Sequence, residues 1–342
     1  MGKQKPSGHV RWGILGTGMV AEQFCGELKK VPGVEICRVW SRTPANAAAL
    51  AKGHGIPQVT SSLKEFLGAG GLDLVYICTP TALHEAHSLA CLEAGYGVVC
   101  EKPLTTSLES AQRIFFKAKE KNLFCMEGMW MRFNPLVQKT QELIRAGAIG
   151  ELLSVRVELG YNKKCSAPRA RDNSALWNYG PYIFALFDLI AASRPERFFA
   201  IGNGSEGRPS TRVAGVMRLL KTQGSFTITD EADLKNEALF EGSRGWLRLH
   251  APFFCSQRLE ASMPIFSGNK YAARINRIIH RNTGYDIFPS PYVQLEKKYA
   301  GFKYQALAAT EAIRNQEIQC PESSWNDTLR VIGLIEKTEA MI

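Results

Sequence analysis

The sequence predicts a doubly wound α/β domain over residues 1 to about 126, and three observations carry that expectation. Short apolar, β-branched runs alternate with segments of helical periodicity. A glycine-rich turn joins the first run to the first helix, and loops bearing catalytic residue types follow two later runs. Strand and helix alternating at this spacing make βαβ units, and hence a parallel sheet covered on both faces.

The elements follow in order. HVRWGILG is the first strand, and Ala21 to Lys30 the first helix; VEICRVW is the second strand, followed by helical Ala45 to Ala51. LDLVYIC leads into a helix over Ala82 to Ala94, and GYGVVC into one over Leu108 to Lys121. With 342 residues the chain exceeds what one hydrophobic core ordinarily supports, so residues 127 to 342 are expected to form a second domain. There LLSVRVELG, AGVMRLL, GSFTIT and GWLRLH alternate like half-buried strands, and Ser324 to Met341 reads as a terminal helix with apolar Leu329, Ile332, Ile335 and Met341.

Composition bounds the class. Hydrophobic residues at 45% and charged residues at 22% are those of an ordinary globular protein, and no apolar run is long enough for a membrane span. The opening MGKQKPSGHV lacks the pattern of a secretory signal, and Pro6 stands where a myristoylation motif requires Ser or Thr. The nine cysteines are scattered, without C-x-x-C spacing or a His/Cys cluster, which points to reduced thiols, a cytoplasmic protein and no metal site. A net charge of +10 suits acidic ligands, membranes or nucleic acid alike, but no interleaved aromatic pattern accompanies it, so neither nucleic acid nor membrane is expected as a partner.

The first strand runs into GTGMVA, placing Gly16, Gly18 and Ala21 in a G-x-G-x-x-A pattern with Thr17, Met19 and Val20 between them. The pattern follows a strand and opens a helix, as a dinucleotide site requires: Gly16 makes the tight turn, Gly18 lets backbone approach a pyrophosphate, and Ala21 permits close helix packing. The helix N-terminus then offers amides and a positive dipole end to the phosphates. At the end of the second strand stand Ser41, Arg42 and Thr43, with no carboxylate to accept from a ribose 2′-hydroxyl. A 2′-phosphate wants an arginine, so NADP is the expected cofactor, held there by Ser41 and Arg42. The competing reading of Arg42 is a solvated arginine ahead of a helix capped by Thr43. After LVYIC, the loop TPTALH brings Thr79, Pro80 and His84; after YGVVC comes EKP, with Glu101, Lys102 and Pro103. A lysine at the tip of a buried strand points into the crevice where such sheets bind ligands.

GTGMVA, the Ser41-Arg42 pair, TPTALH, EKPLTTSLESA, MEGMWMRFNP and GAIGELLSV, in this order over essentially the whole chain, resemble the glucose-fructose oxidoreductase / inositol dehydrogenase / rhizopine catabolism (Gfo/Idh/MocA) family. EKPLTTS followed by MEGMWMRF is most similar to its dimeric dihydrodiol dehydrogenase branch, which takes NADP. The resemblance implies a Rossmann domain followed by an α+β domain with a large, mostly antiparallel open sheet. It also implies a terminal helix returning to the first domain, a homodimer formed through the open sheet, and Trp130 and Arg132 beside the cofactor. In the family the helix after the first long strand carries an acid and a His or Tyr four residues apart. ALWNYGPY aligns there with Asn178 and Tyr182, which the i, i+4 spacing puts on one helix face.

The resemblance thus implies an NADP-dependent oxidoreductase acting on a secondary alcohol or ketone of a sugar, cyclitol or cyclic diol. Lys102 would move the hydroxyl proton, Tyr182 would support it, and Arg132 would orient a substrate oxygen. Asn178 replaces the usual aspartate; it can hold a hydroxyl but cannot accept a proton, and its neutrality would let Lys102 deprotonate more easily. Asn178 could also be an amide capping a helix end. That departure keeps open a non-catalytic NADP-sensing regulator, and a redox-assisted glycosidase is a second alternative. Two basic clusters complete the reading. Lys163, Lys164, Arg169 and Arg171 precede ALWNYGPY and would suit an anionic substrate or solvent. Lys270, Arg274, Arg277 and Arg281 would share one face of a helix.

Overall fold

The strands of the first half assemble as their apolar runs dictate. In the computed structural model, which describes residues 9–163, 171–191, 195–205, 208–262, 292–294 and 301–342, they form a six-stranded parallel sheet. Its strands are β1 (Val10–Leu15), β2 (Val34–Trp40), β3 (Gln58–Thr60), β4 (Leu74–Ile77), β5 (Gly97–Glu101) and β6 (Cys125–Gly128), in the spatial order β3-β2-β1-β4-β5-β6. The order reverses direction at β1, so the crevice beyond the carboxyl ends of β1 and β4 is the ligand-binding point of this topology. β4 and β5 are buried at every position, as befits strands covered on both faces.

Helices α1 (Met19–Leu28), α2 (Pro44–His54), α3 (Leu63–Gly68), α4 (His84–Glu93) and α5 (Leu108–Lys121) connect them. The α2 N-terminus has Pro44 in its first turn and its carboxyl end closes on Gly55 at φ 66°, the conformation glycine adopts without a Cβ penalty. Arg38, 4% exposed, donates to the Phe66 and Gly70 carbonyls and to Gln58 Oε1, fastening β2 to the β3 and α3 segment.

The described chain divides into two compact units, residues 1–133 with 300–336 and residues 134–299 with 337–342. The first therefore includes β6, the helix Phe302–Arg314 and most of the terminal helix Trp325–Glu339. That last helix starts with a reciprocal cap: Ser324 Oγ accepts the Asp327 amide at 3.3 Å and Asp327 Oδ2 accepts the Ser324 amide at 2.9 Å. Trp325 stacks on Phe115 of α5 and its Nε1 donates to the Cys125 carbonyl at 2.8 Å. Ile332 and Ile335 are fully buried, as their periodicity predicts, whereas Met341 is 40% exposed and lies beyond the helix end.

The second unit carries α6 (Pro135–Arg145), β7 (Leu152–Gly160) and α7 (Ala175–Ala191). These are followed by β8 (Arg197–Gly202), β9 (Arg212–Leu219), β10 (Thr222–Thr229), β11 (Ala238–Gly242), β12 (Gly245–Leu249), β13 (Arg258–Ala261) and β14 (Tyr292–Gln294). Its eight-stranded sheet runs β14-β13-β12-β11-β7-β10-β9-β8; β7 and β10 are parallel and the other pairs antiparallel. α7 packs on β7, β9 and β10, bringing Phe184 against Phe198 and Phe226. The other sheet face keeps Phe199, Ile201 and Val216 exposed at 68%, 75% and 54%. The basic cluster Lys270 to Arg281 lies outside the described residues. Among the described residues no helix is long and apolar enough to cross a membrane, and all eight cysteines are free thiols.

Candidate active site

The nucleotide end of the first unit begins where β1 stops. Gly16 sits at φ +123°, and a Cβ there would lie 2.8 Å from the Cys78 carbonyl oxygen, so this turn excludes any side chain on both counts. Gly18 is the N-cap of α1, with no side-chain cap on the helix and nothing within 4 Å of where its Cβ would be. The first turn of this ten-residue helix thus has no side-chain cap on its amides, with Met19 76% exposed and Ala21 fully buried within it. This arrangement fits a pyrophosphate, the group expected for a dinucleotide cofactor.

Ser41 links the glycine turn to the loop after β2: its Oγ accepts from Thr17 Oγ1 at 3.1 Å and from the Thr43 amide at 3.3 Å. Arg42 is exposed next to it, and Thr43 is the N-cap residue of α2 without a side-chain cap bond. Thr79 Oγ1 lies 3.0 Å from His87 Nδ1, and His87 packs edge-on to Trp40. Burial lowers the His87 pKa below its ordinary value, with the charges of His84 and Arg42 adding to the effect. Arg42 therefore contributes positive potential at the tip of β2, where the 2′-phosphate was expected.

The loop after β5 is held by buried ionisable groups. Lys102 is half-buried, and its amide donates to Glu101 Oε2 at 3.2 Å. Glu101 Oε1 accepts the Tyr76 hydroxyl, and burial pushes this carboxyl up to about 7, against the opposing pull of Tyr76 and Lys102. His84, 1% exposed, sets Nδ1 2.9 Å from the Pro103 carbonyl and Nε2 2.8 Å from the Thr79 carbonyl, so it bridges the TPTALH and EKP loops. Burial lowers its pKa although the carbonyls favour the charged ring. His84 and Glu101 thus have internal partners within the two loops that flank Lys102.

Glu127, Tyr76 and Thr328 were missed at the sequence level. Leu104 N donates to Glu127 Oε1 at 2.9 Å and Thr328 Oγ1 donates to Glu127 Oε2 at 3.2 Å. Burial raises the Glu127 pKa. Glu127 lies inside MEGMWMRFNP, but nothing in the sequence distinguishes it from the neighbouring residues. Trp130, 7% exposed, packs its ring 5.2 Å from that of Phe302, and Arg132, 4% exposed, lies 4.0 Å from Asp327 of the terminal helix. One Nη of Arg132, the residue expected to orient a substrate oxygen, thus lies within ion-pair range of that helix.

In the second unit, Ser174 rather than Asn178 caps α7: its Oγ accepts the Trp177 amide at 3.3 Å and its carbonyl accepts the Asn178 amide at 3.0 Å. Asn178, half-buried, and Tyr182, 7% exposed, occupy the same helix one turn apart, and the Tyr182 ring stacks on Phe254 at 4.5 Å. Of the first basic cluster, Lys163 lies over the Tyr179 ring at 4.8 Å, and Arg171 forms a two-pronged pair with Glu339, which also accepts from Trp177 Nε1. Lys164 and Arg169 lie outside the described residues. An anionic substrate would have to compete with Glu339 for Arg171.

A model of an oxidoreductase family with an NAD-binding Rossmann fold matches residues 10–129. The chain is 30% identical over 251 residues to the trans-1,2-dihydrobenzene-1,2-diol dehydrogenase of Bos taurus, covering 71% of this chain and 75% of that one. With the enzyme of the same name from Homo sapiens it shares 26% identity over 344 residues, 97% of each chain. Among solved structures, a 3-ketoreductase from Actinomadura kijaniata, in complex with TDP-benzene and NADP, superposes with a TM-score of 0.78 at 21% identity, over 97% of this chain and 98% of that one. An aldose-aldose oxidoreductase from Caulobacter crescentus gives 0.82 at 18% identity over 97% of both chains.

Proposed function

Because the chain belongs to the Gfo/Idh/MocA oxidoreductase family, we propose that it is an NADP-dependent enzyme transferring a hydride between nicotinamide and a secondary alcohol or ketone of a cyclic diol or sugar. The observation that carries this reading is Lys102, held at the tip of β5 by Glu101, in the unit whose Gly16-Gly18 turn opens on uncapped helix amides. The names of the relatives, dehydrogenases of a cyclic trans-diol, support the substrate class. The cytoplasm, where thiols stay reduced, suits the free cysteines.

The cofactor supplies the hydride acceptor or donor. Gly16, Thr17, Gly18, Met19 and Val20 would hold its pyrophosphate, with Thr79 and Pro80 bordering the nucleotide, and Ser41, Arg42 and Thr43 its adenosine 2′-phosphate. Lys102 is assigned the carbinol proton at Nζ, and Tyr182 a supporting role toward the substrate hydroxyl. Asn178 holds the hydroxyl without accepting its proton. Trp130 lends an apolar wall. Arg132 would orient a substrate oxygen, with Asp327 4.0 Å from its guanidinium.

The test is a fluorescence titration with NADPH and NADH, followed by NADP-linked oxidation of trans-dihydrodiols and of sugars. Preferential NADPH binding with turnover is expected; binding without turnover on either class would favour the regulatory role. Arg42→Ala should cut the NADPH over NADH preference by roughly ten- to a hundredfold, the worth of one charge-assisted hydrogen bond. An unchanged ratio would remove Arg42 from the 2′-phosphate site.

The oligomeric proposal is a homodimer through the outer face of the second sheet. Phe199 stands directly across from Val216 in the β8–β9 register, with Ile201 two residues further on, so three exposed apolar side chains form one patch in need of cover. Phe199→Glu is expected to convert a dimer to monomer in sedimentation equilibrium. A dimer of undiminished affinity would put the interface elsewhere.

A further inference from the structure

We propose that Glu127 is a positioning residue for Lys102, a buried carboxylate that clamps the Lys102–Leu104 turn to the terminal helix; this rests on Lys102 being the proton-transfer group. Three successive residues of that turn are each held by an ionisable side chain. The Lys102 amide donates to Glu101, the Pro103 carbonyl lies 2.9 Å from His84 Nδ1, and the Leu104 amide donates to Glu127. Glu101 and His84 are local to the two loops. Glu127 reaches in from the neighbouring strand β6, and its second oxygen takes the hydroxyl of Thr328, 201 residues further along the chain.

The same strand fixes the helix at a second point, through Trp325 Nε1 to the Cys125 carbonyl, and the turn Trp130–Phe133 that follows it places Arg132 facing Asp327. The docked helix therefore presents Thr328, itself 2% exposed, at a fixed place, and Glu127 carries that position to the Leu104 amide two residues past Lys102. An apolar pair would fasten helix to strand without desolvating a carboxylate, which is costly in a site 3% exposed. What the carboxylate adds is direction: it fixes the orientation of one N–H in the backbone that carries the lysine. Proton transfer is sensitive to that orientation, since displacement of a reacting group by about 1 Å lowers rates by roughly a hundredfold.

The test compares Glu127→Ala, which breaks both bonds, with Glu127→Gln, which keeps them in kind: an amide oxygen for Leu104 and an amide N–H for Thr328 Oγ. Thr328→Val removes the helix end of the clamp. Expected is a drop in kcat of about ten- to a hundredfold for Glu127→Ala. NADPH affinity should stay within about twofold, because uniform binding is untouched. Glu127→Gln should restore most of the rate, and Thr328→Val should fall in between. Exchange of the Leu104 amide, followed on the intact protein without substrate, should accelerate in the same order.

Wild-type kcat in Glu127→Ala would overturn the proposal, as would loss of kcat and NADPH affinity in equal measure with unchanged Leu104 exchange. Should Glu127→Ala fail to fold, Thr328→Val decides: unaltered kcat and Leu104 exchange there overturn it. A wild-type protein that turns over no diol or sugar would defeat the enzymatic reading. Leu104 exchange would then decide the clamp alone, with wild-type protection in Thr328→Val and Glu127→Ala counting against it.

Discussion

Lys102→Met is expected to lower kcat/KM for NADP-linked turnover by about 10²- to 10⁴-fold, the range supplied by a positioned acid-base group. NADPH affinity should change by less than about threefold, since the interaction lost belongs to the transition state. Methionine keeps the length and much of the apolar stem of lysine but can neither give nor take a proton. The backbone bonds that hold the turn, from the Lys102 amide to Glu101 and from the Leu104 amide to Glu127, do not involve the substituted side chain. The loop should therefore persist and the chemistry should not. Steady-state kinetics beside a cofactor titration separates the two. Retained activity would move proton transfer to Tyr182, while matched loss of binding and rate would show Lys102 to be a cofactor ligand.

The second large effect concerns pH and stability. Burial raises the Glu101 carboxyl from its ordinary 4.5 to about 7, so between those values the folded chain binds a proton that the unfolded chain has released. Stability from this group is therefore present below pH 4.5 and declines as pH rises to about 7, where the full cost of an ionised buried carboxylate is felt. A displacement of that size corresponds to about 3 kcal/mol. Glu127, also raised by burial, acts in the same direction. Glu101→Gln keeps an acceptor for the Lys102 amide and a partner for Tyr76 but no longer titrates. Urea unfolding at pH 4.5 and pH 8 should show wild type losing about 3 kcal/mol relative to the variant. Parallel curves would mean that Glu101 ionises in the folded protein as it does in water.

Much of the first unit was legible because its signals are local. Strand runs such as LVYI in β4 are buried at every position, and Gly16 is demanded by a turn whose φ and close approach to Cys78 tolerate no Cβ. The spacing of Asn178 and Tyr182 likewise survives as one turn of α7. What spacing could not reveal was which group caps that helix: Ser174 does so, because it stands one residue before the first helical position and its hydroxyl oxygen accepts the Trp177 amide three residues on.

The sequence by itself determined the alternation of strand and helix, the nucleotide turn, the arginine at the tip of β2 and the lysine at the tip of β5. Each of these depends on residues adjacent in the chain, through periodicity, backbone sterics and the direction in which a strand ends. Tertiary structure alone decided what surrounds the lysine. His84, Glu101, Glu127 and Arg132 look like separate polar residues in the sequence. Folding brings β6, the EKP turn and the terminal helix together, so that Thr328 meets Glu127 across 201 residues and Arg132 faces Asp327. His84, Glu101 and Glu127 take the partners that the packed elements present, because leaving a buried ionisable group unpaired is costly. Those partners are set by the order of strands in the sheet and the docking of a distant helix, which no local pattern encodes.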